Sequence, residues 1–316
     1  GNMIDICPVG ALTSKPFRYT ARTWELARRR SVSPHDSVGA NLVVQSKADK
    51  VLRVVPFDNE EVNECWIADR DRFSYEALNS ERRLTRPMIK QGGQWQAVDW
   101  STALEYVADG LRRVQAEFGP GAVHEIGALG HPTSSVEELH LLAKLVRGLG
   151  SESVDHRLRH ADFDNRAPGG CARWLGTSIA ALSQLDRAFV VGSFLRKDHP
   201  LLAQRLRQAV RAGAQLSSLH AVHDDWAMPL AHRLAVRPSR WVAALAEVAA
   251  AVAKAQGVEP PLAAASGAEA EAVAASLLGG ERKAVLLGNA AAQHPEAGTL
   301  LALANWIAQH TGASCG

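Results

Sequence analysis

Apolar and polar positions follow two rhythms along this chain, and the change from one to the other falls near Leu84. Before it, Asn41-Leu42-Val43-Val44-Gln45 and Val51-Leu52-Arg53-Val54-Val55 are short β-rich runs flanking the polar Ala48-Asp49-Lys50, which predicts a hairpin. Pro56 ends the second run, because it has no N–H for a ladder. Trp66 to Leu78 predicts a helix with Trp66, Ile67, Phe73 and Ala77 near one face.

Beyond Leu84, strand and helix patterns alternate. Asp99 or Ser101 can cap a helix that places Leu104, Val107, Leu111 and Val114 on one side. An apolar run from Ala122 to Ile126 precedes a helix from about Ser135 to Leu149. Ala188-Phe189-Val190-Val191-Gly192 predicts a buried strand, followed by a helix from near Pro200, where a missing N–H costs nothing. Ala284-Val285-Leu286-Leu287-Gly288 followed by Pro295 to His310 repeats the arrangement. Trp241 to Ala253 is a further soluble helix, and Pro260 to Leu278 a loop leading into a surface helix. Such alternation predicts an α/β fold with a parallel sheet and covering helices. Three zones result: residues 1–20, too short for a domain and read as the tail of something upstream; a small hairpin-plus-helix domain at 21–83; and the α/β domain at 84–316, read as truncated.

Charge changes this picture little. Lys and Arg number 35 against 33 Asp and Glu, a net +2, so nothing points to nucleic acid. Arg28-Arg29-Arg30 reads as a solvated face. No stretch reaches the roughly 18 apolar residues of a membrane span, and there is no signal-peptide pattern at the start. Cys7, Cys65, Cys171 and Cys315 are scattered, which argues against a disulfide framework and for a reducing, cytoplasmic setting. His220-Ala-Val-His223-Asp224-Asp225 has metal-like composition but reads as a solvated loop. His156, His160 and Asp162 read as surface pairing. No G-x-S-x-G, P-loop or G-x-G-x-x-G is present.

The sharpest chemistry is Cys7-Pro8-Val9-Gly10-Ala11-Leu12. A Cys followed by Pro commonly closes a cysteine set around an iron–sulfur cluster, whose iron takes soft thiolate donors. Pro8 fixes the chain direction and Gly10 permits a tight turn, while Ile4, Ile6, Val9 and Leu12 would exclude water. Read alone, a single buried Cys before Pro is more often a structural residue.

Residues 1–17, Ala21-Arg22-Thr23-Trp24-Glu25-Leu26, Asn59 to Tyr75 and Arg83-Leu84-Thr85-Arg86-Pro87-Met88 together resemble the large iron–sulfur subunit of NADH–quinone oxidoreductase, respiratory complex I, within the molybdopterin oxidoreductase superfamily. The resemblance implies that Cys7 is the last ligand of a [4Fe–4S] cluster whose three other cysteines lie upstream of this sequence, so the chain alone cannot complete that site. A [2Fe–2S] centre would belong to the same preceding part. Some bacterial members carry a further cluster with C-x2-C-x3-C-x27-C spacing. The matching positions here are Ser33, Asp36, Ala40 and Ala68, so that cluster should be missing, as in the mitochondrial type. Cys65 reads as a small apolar side chain beside Trp66. Cys171 reads as filler, because the resemblance implies no molybdenum. The implied role is electron relay from NADH and flavin toward quinone. It implies the peripheral-arm subunits of the complex as partners, and a place on the cytoplasmic side of the bacterial inner membrane without insertion. A molybdopterin-dependent oxidoreductase, or a non-redox module that keeps the fold, are the competing readings.

Overall fold

The computed structural model describes residues 1–35, 37–119, 125–157, 162 and 174–316. They form two compact units, Gly1–Phe73 with His160–Gly316, and Ser74–Arg159.

The chain opens on one helical turn, α1 (Met3–Ile6), and reaches an edge strand, β1 (Ala27–Val32), whose six residues are all exposed. This is where Arg28, Arg29 and Arg30 lie. β2 (Asn41–Lys47) and β3 (Lys50–Pro56) form the predicted hairpin. Ala48 and Asp49 both take positive φ, 49° and 60°, the backbone hand that closes a hairpin in two residues. β1, β2 and β3 pair antiparallel in that order.

The helix expected over Trp66–Leu78 is shorter and broken. α2 covers Asp69–Phe73, and a 3₁₀ segment, Ser74–Asn79, follows. The start moves because Glu64 sits at φ 51° and the Asn63 carboxamide donates to the carbonyls of Phe57, Glu64 and Trp66, each at 3.2 Å. Those bonds hold residues 63–66 in a turn. Asn63 Oδ1 also accepts from Asn41 N at 2.9 Å, tying this turn to β2.

The second unit begins with the hairpin β4 (Met88–Gln91) and β5 (Gln94–Ala97), turning on Gly92 and Gly93 at φ 57° and 80°. α3 (Trp100–Phe118) is capped by Asp99, which accepts from Thr102 N at 2.8 Å. Its predicted apolar face is only partly covered: Leu111 and Val114 are half-buried, but Leu104 and Val107 are 61% and 55% exposed, as is Trp100 at the start of the helix, at 70%. β6 (Ala128–Leu129) pairs parallel with β7 (Val154–Asp155), and α4 (Val136–Gly148) lies between them in sequence. Ser135 and Glu138 close a capping box at the start of α4. Most of the apolar run before β6 lies outside the described residues; Ile126 is buried.

The parallel sheet belongs to the first unit. β8 (Arg187–Val191) leads through α5 (Leu195–Asp198) and α6 (Pro200–Arg211) to β9 (Gln215–His220) and β10 (His232–Ala235). α7 (Trp241–Gln256), α8 (Ala268–Leu278), β11 (Lys283–Leu287), α9 (Asn289–Ala292), α10 (Ala297–Thr311) and β12 (Ser314–Cys315) follow. Strand order is β10-β9-β8-β11-β12, every pairing parallel. Successive residues of β8 face opposite sides, and both sides are covered. Phe189 and Val191 pack with Trp241, Leu245, Val273, Leu277, Leu300 and Ile307 of α7, α8 and α10. Ala188 and Val190 pack with Leu201, Leu202 and Leu206 of α6, and with Val38 and Ala40 of the small sheet's loop. α8 is therefore more than the surface helix expected, since its Ala270, Val273 and Leu277 are buried. The protein is mixed α/β with a doubly covered parallel sheet.

Candidate functional site

Cys7 is the C-cap of α1, and Gly10 N donates to Cys7 O at 3.4 Å with Gly10 at φ 64°. Pro8 thus stands at the second position of a tight turn. The backbone N–H of Leu12, opposed by some desolvation and helped by those of Ala11, Val9 and Gly10, holds the Cys7 thiol below its ordinary pKa. A concave run of amides of this kind favours an anion. The expected water-excluding shell is not closed by this chain: Ile6, Val9 and Leu12 are 44%, 82% and 47% exposed. Among the described residues nothing packs over them to dry the turn.

The turn is anchored from below. Asn2 Oδ1 accepts from Ile67 N at 3.2 Å and from Arg72 Nη2 at 3.0 Å. Arg72 also pairs with Asp5, and its side chain is almost wholly buried.

The other thiols face different surroundings. Burial, and then the carboxylates of Asp58, Glu64 and Glu60, push the Cys65 thiol up. Burial pushes Cys315 up to about 11. Cys7, Cys65 and Cys315 are all free, and Cys171 lies outside the described residues. No group of three or more His, Cys, Asp or Glu that could hold a metal occurs among the described residues.

Ser33, Ala40 and Ala68 do not fit a cluster. Ser33 is buried and its Oγ donates to Asp71 Oδ1 at 2.6 Å, while Ala40 and Ala68 are buried methyl groups. Asp36 lies outside the described residues.

In a sheet of this order a ligand would enter at the switch point, outside the carboxyl ends of β8 and β11. That crevice is closed by its own loops. Gly288 N donates to Val191 O at 2.8 Å and Ala290 N to Gly192 O at 3.0 Å. A Cβ on Gly192 would lie 2.6 Å from Ala291 N and 3.0 Å from the Trp241 ring.

His220 departs from the solvated loop expected of it. Its Nδ1 lies 2.8 Å from Asp224 Oδ2, and its ring centroid is 6.1 Å from that of Trp241. His223 and Asp225 are exposed, as are His156 and its neighbour Arg157, which pairs with Asp155. Asp162 accepts from Gly298 N at 2.7 Å. A cleft of about 610 Å³ is lined by Asn2, Ala68, Arg70, Arg196, Lys197 and Arg207. Part of its cationic wall is already engaged. Arg70 donates to the carbonyls of Lys197 and Asp198, and Arg196 pairs with Asp225 at 2.6 Å.

Two contacts that the sequence did not suggest hold the small sheet to the parallel sheet's helices. Arg205 Nη1 pairs with Glu64 Oε1 at 3.1 Å, with Arg205 7% and Glu64 19% exposed, and Gln208 Nε2 donates to the same carboxylate at 3.1 and 3.2 Å. The partners are 141 and 144 residues apart. No local pattern brings them together.

The molybdopterin oxidoreductase family model matches residues 83–314, and the chain belongs to that family. The model for the NADH-ubiquinone oxidoreductase NDSU1/NuoG-like 4Fe-4S domain matches residues 26–76. The chain is 39% identical over 214 residues to a subunit of NADH-quinone oxidoreductase from Rickettsia felis, covering 68% of this chain and 30% of that protein. It is 37% identical over 215 residues to the mitochondrial NADH dehydrogenase [ubiquinone] iron-sulfur protein 1 of Solanum tuberosum, covering 67% and 28%. The chain thus spans under a third of the length of these relatives. In fold it is similar to acetylene hydratase from Pelobacter acetylenicus, with a TM-score of 0.62 at 13% identity, covering 90% of this chain and 43% of that one.

Proposed function

We propose that this chain is part of the electron-transfer subunit of an NADH–quinone oxidoreductase, and that Cys7 supplies one thiolate to a [4Fe–4S] cluster. The other three cysteines would come from outside the 316 residues. When bound, the cluster supplies one-electron transfer on the route from NADH and flavin toward quinone. The chain's own part is to present a thiolate in a fixed direction and to stabilise its charge. The tight turn at Cys7-Pro8-Val9-Gly10, closed by Gly10 N donating to Cys7 O at 3.4 Å with Gly10 at φ 64°, is the observation that carries this reading. N–H donors to cluster sulfur are one of the means by which a protein sets a reduction potential.

The functional division is residues 1–20 as the end of an iron–sulfur domain, 21–83 as a small domain related to a 4Fe–4S domain but without its ligands, and 84–316 as scaffold. The partners are other peripheral-arm subunits of the complex, at the cytoplasmic face of the inner membrane. In support, the matched relatives bear the names of complex I subunits, and no helix among the described residues is long and apolar enough to cross a membrane.

The test is iron content and low-temperature EPR of the full-length gene product, with Cys7→Ser beside it. We expect one [4Fe–4S] signal to be lost or altered in the variant while other iron remains. An unchanged spectrum would overturn the assignment of Cys7.

A further inference from the structure

Of the three described positions with lost-ligand spacing, Ser33 bonds to Asp71 of α2 and Ala68 directly precedes that helix, while Ala40 is tied to Ser33 through the backbone. Ala68 O accepts from the N–H of both Asp71 and Arg72, each at 3.1 Å, which fixes these two residues in consecutive helical positions. Their side chains serve different partners. Asp71 accepts from Ser33 Oγ at 2.6 Å, and Ser33 N donates to Ala40 O at 2.8 Å, so that side holds the small domain together. Arg72 turns to the α1 segment and meets Asn2 Oδ1 and the Asp5 carboxylate. The two contacts reach across 70 and 67 residues. Cys7 follows Asp5 by one residue beyond Ile6, within the same short turn.

We infer that Arg72 is a positioning residue for the Cys7 ligand. The small domain, which has no thiolates at the spaced positions, uses that region as a clamp on the neighbouring cluster turn. This inference rests on the reading of Cys7 as a ligand. Three features support it over a bond that merely stabilises the fold. Arg72 is 4% exposed, so its charge has been withdrawn from water, and its Nη2 is paired by the segment carrying Cys7. α1 has no buried residue of its own, so hydrophobic packing contributes little to fixing it. Cys7 is the C-cap of α1 and opens the turn closed by Gly10, so a tilt of α1 would displace the sulfur and that turn together.

The experiment compares Arg72→Gln, Arg72→Lys and Asp5→Asn with wild type. In the full-length protein, the midpoint potential and EPR line shape of the cluster assigned to Cys7 are recorded. In the 316-residue chain, hydrogen exchange is followed for the peptide spanning residues 1–12. Arg72→Gln and Asp5→Asn should each speed that exchange by about tenfold, without change in β8 or β11. Both should shift the cluster's potential or signal, and Arg72→Lys should restore part of each effect. Asp5→Asn covers the case in which Arg72→Gln fails to fold, because Asp5 is the more exposed partner, at 20%. Unchanged exchange and an unchanged cluster in folded variants would overturn the clamp and leave the Cys7 ligand standing. A wild-type protein without a cluster at Cys7 would overturn both.

Discussion

The thiols differ because of what faces each sulfur. Backbone amides lower Cys7, whereas burial raises Cys65 and lifts Cys315 to about 11. Only a thiolate attacks an alkylating agent. In the isolated chain Cys7 should therefore react first with iodoacetamide near neutral pH, and Cys315 should lag until well into the alkaline range. Mass spectrometry of the labelled peptides across pH would decide, and equal rates at all pH values would contradict the assignment. Asp186 provides a second check. It accepts from the N–H of Glu281 and Arg282 and pairs with the Arg282 guanidinium at 2.9 Å, and Arg282's side chain is the main cause holding its carboxyl well below the usual range. A depressed folded-state value means stability that is present above the unfolded value and lost as pH falls through the folded one. Asp186→Asn should thus melt lower than wild type at pH 7, and the gap should narrow as the pH drops below about 4. Thermal melts at both pH values read this directly. Of these residue properties, the tight turn after Cys7 was legible, because Cys-Pro-x-Gly specifies it locally. The clamp by Arg72 was not, since its acceptors lie 70 and 67 residues away.

At the scale of elements, legibility tracked how local the stabilising contacts are. The β2–β3 hairpin, the Asp99 cap of α3 and the proline start of α6 all arose from neighbours in sequence, and the structure has them where the pattern put them. The helix expected over Trp66–Leu78 began late because Asn63, a single side chain, donates to the carbonyls of Phe57, Glu64 and Trp66 and so holds residues 63–66 in a turn. Composition did not reveal that capture. The Glu64–Arg205 pair is the other hidden element contact. Removing its carboxylate leaves a guanidinium 7% exposed beside the carbonyls of Glu60 and Val62. Glu64→Ala should cost about 3–5 kcal/mol, the range for breaking a buried pair. Denaturant melts would measure it, and a loss below about 1 kcal/mol would mean the pair acts as an exposed one. Gly192→Ala should also destabilise, because φ is 67° there and the added Cβ would meet Ala291 N at 2.6 Å. A variant as stable as wild type would show that the β8 and β11 loops can separate.

For the whole molecule, the alternation of strand and helix after Leu84 foretold a parallel sheet, and both faces of β8 are buried as such a sheet requires. What the alternation did not foretell is that Ser74–Arg159 gathers into a compact unit of its own, although most of it lies inside the predicted α/β zone. Sequence periodicity marks which side of a helix is apolar, and says nothing of whether anything comes to cover it.

α3 makes the difference plain, and it governs how a solution of this chain should behave. Trp100, Leu104 and Val107 remain wetted along one stripe of a 19-residue helix. Salts that are excluded from protein surfaces strengthen the tendency of such stripes to leave water. The purified chain should accordingly precipitate at lower ammonium sulfate than its Leu104→Lys/Val107→Glu counterpart, and should brighten a hydrophobic dye that the counterpart leaves dark. Matching precipitation curves would mean that the stripe is already sheltered by contact between molecules.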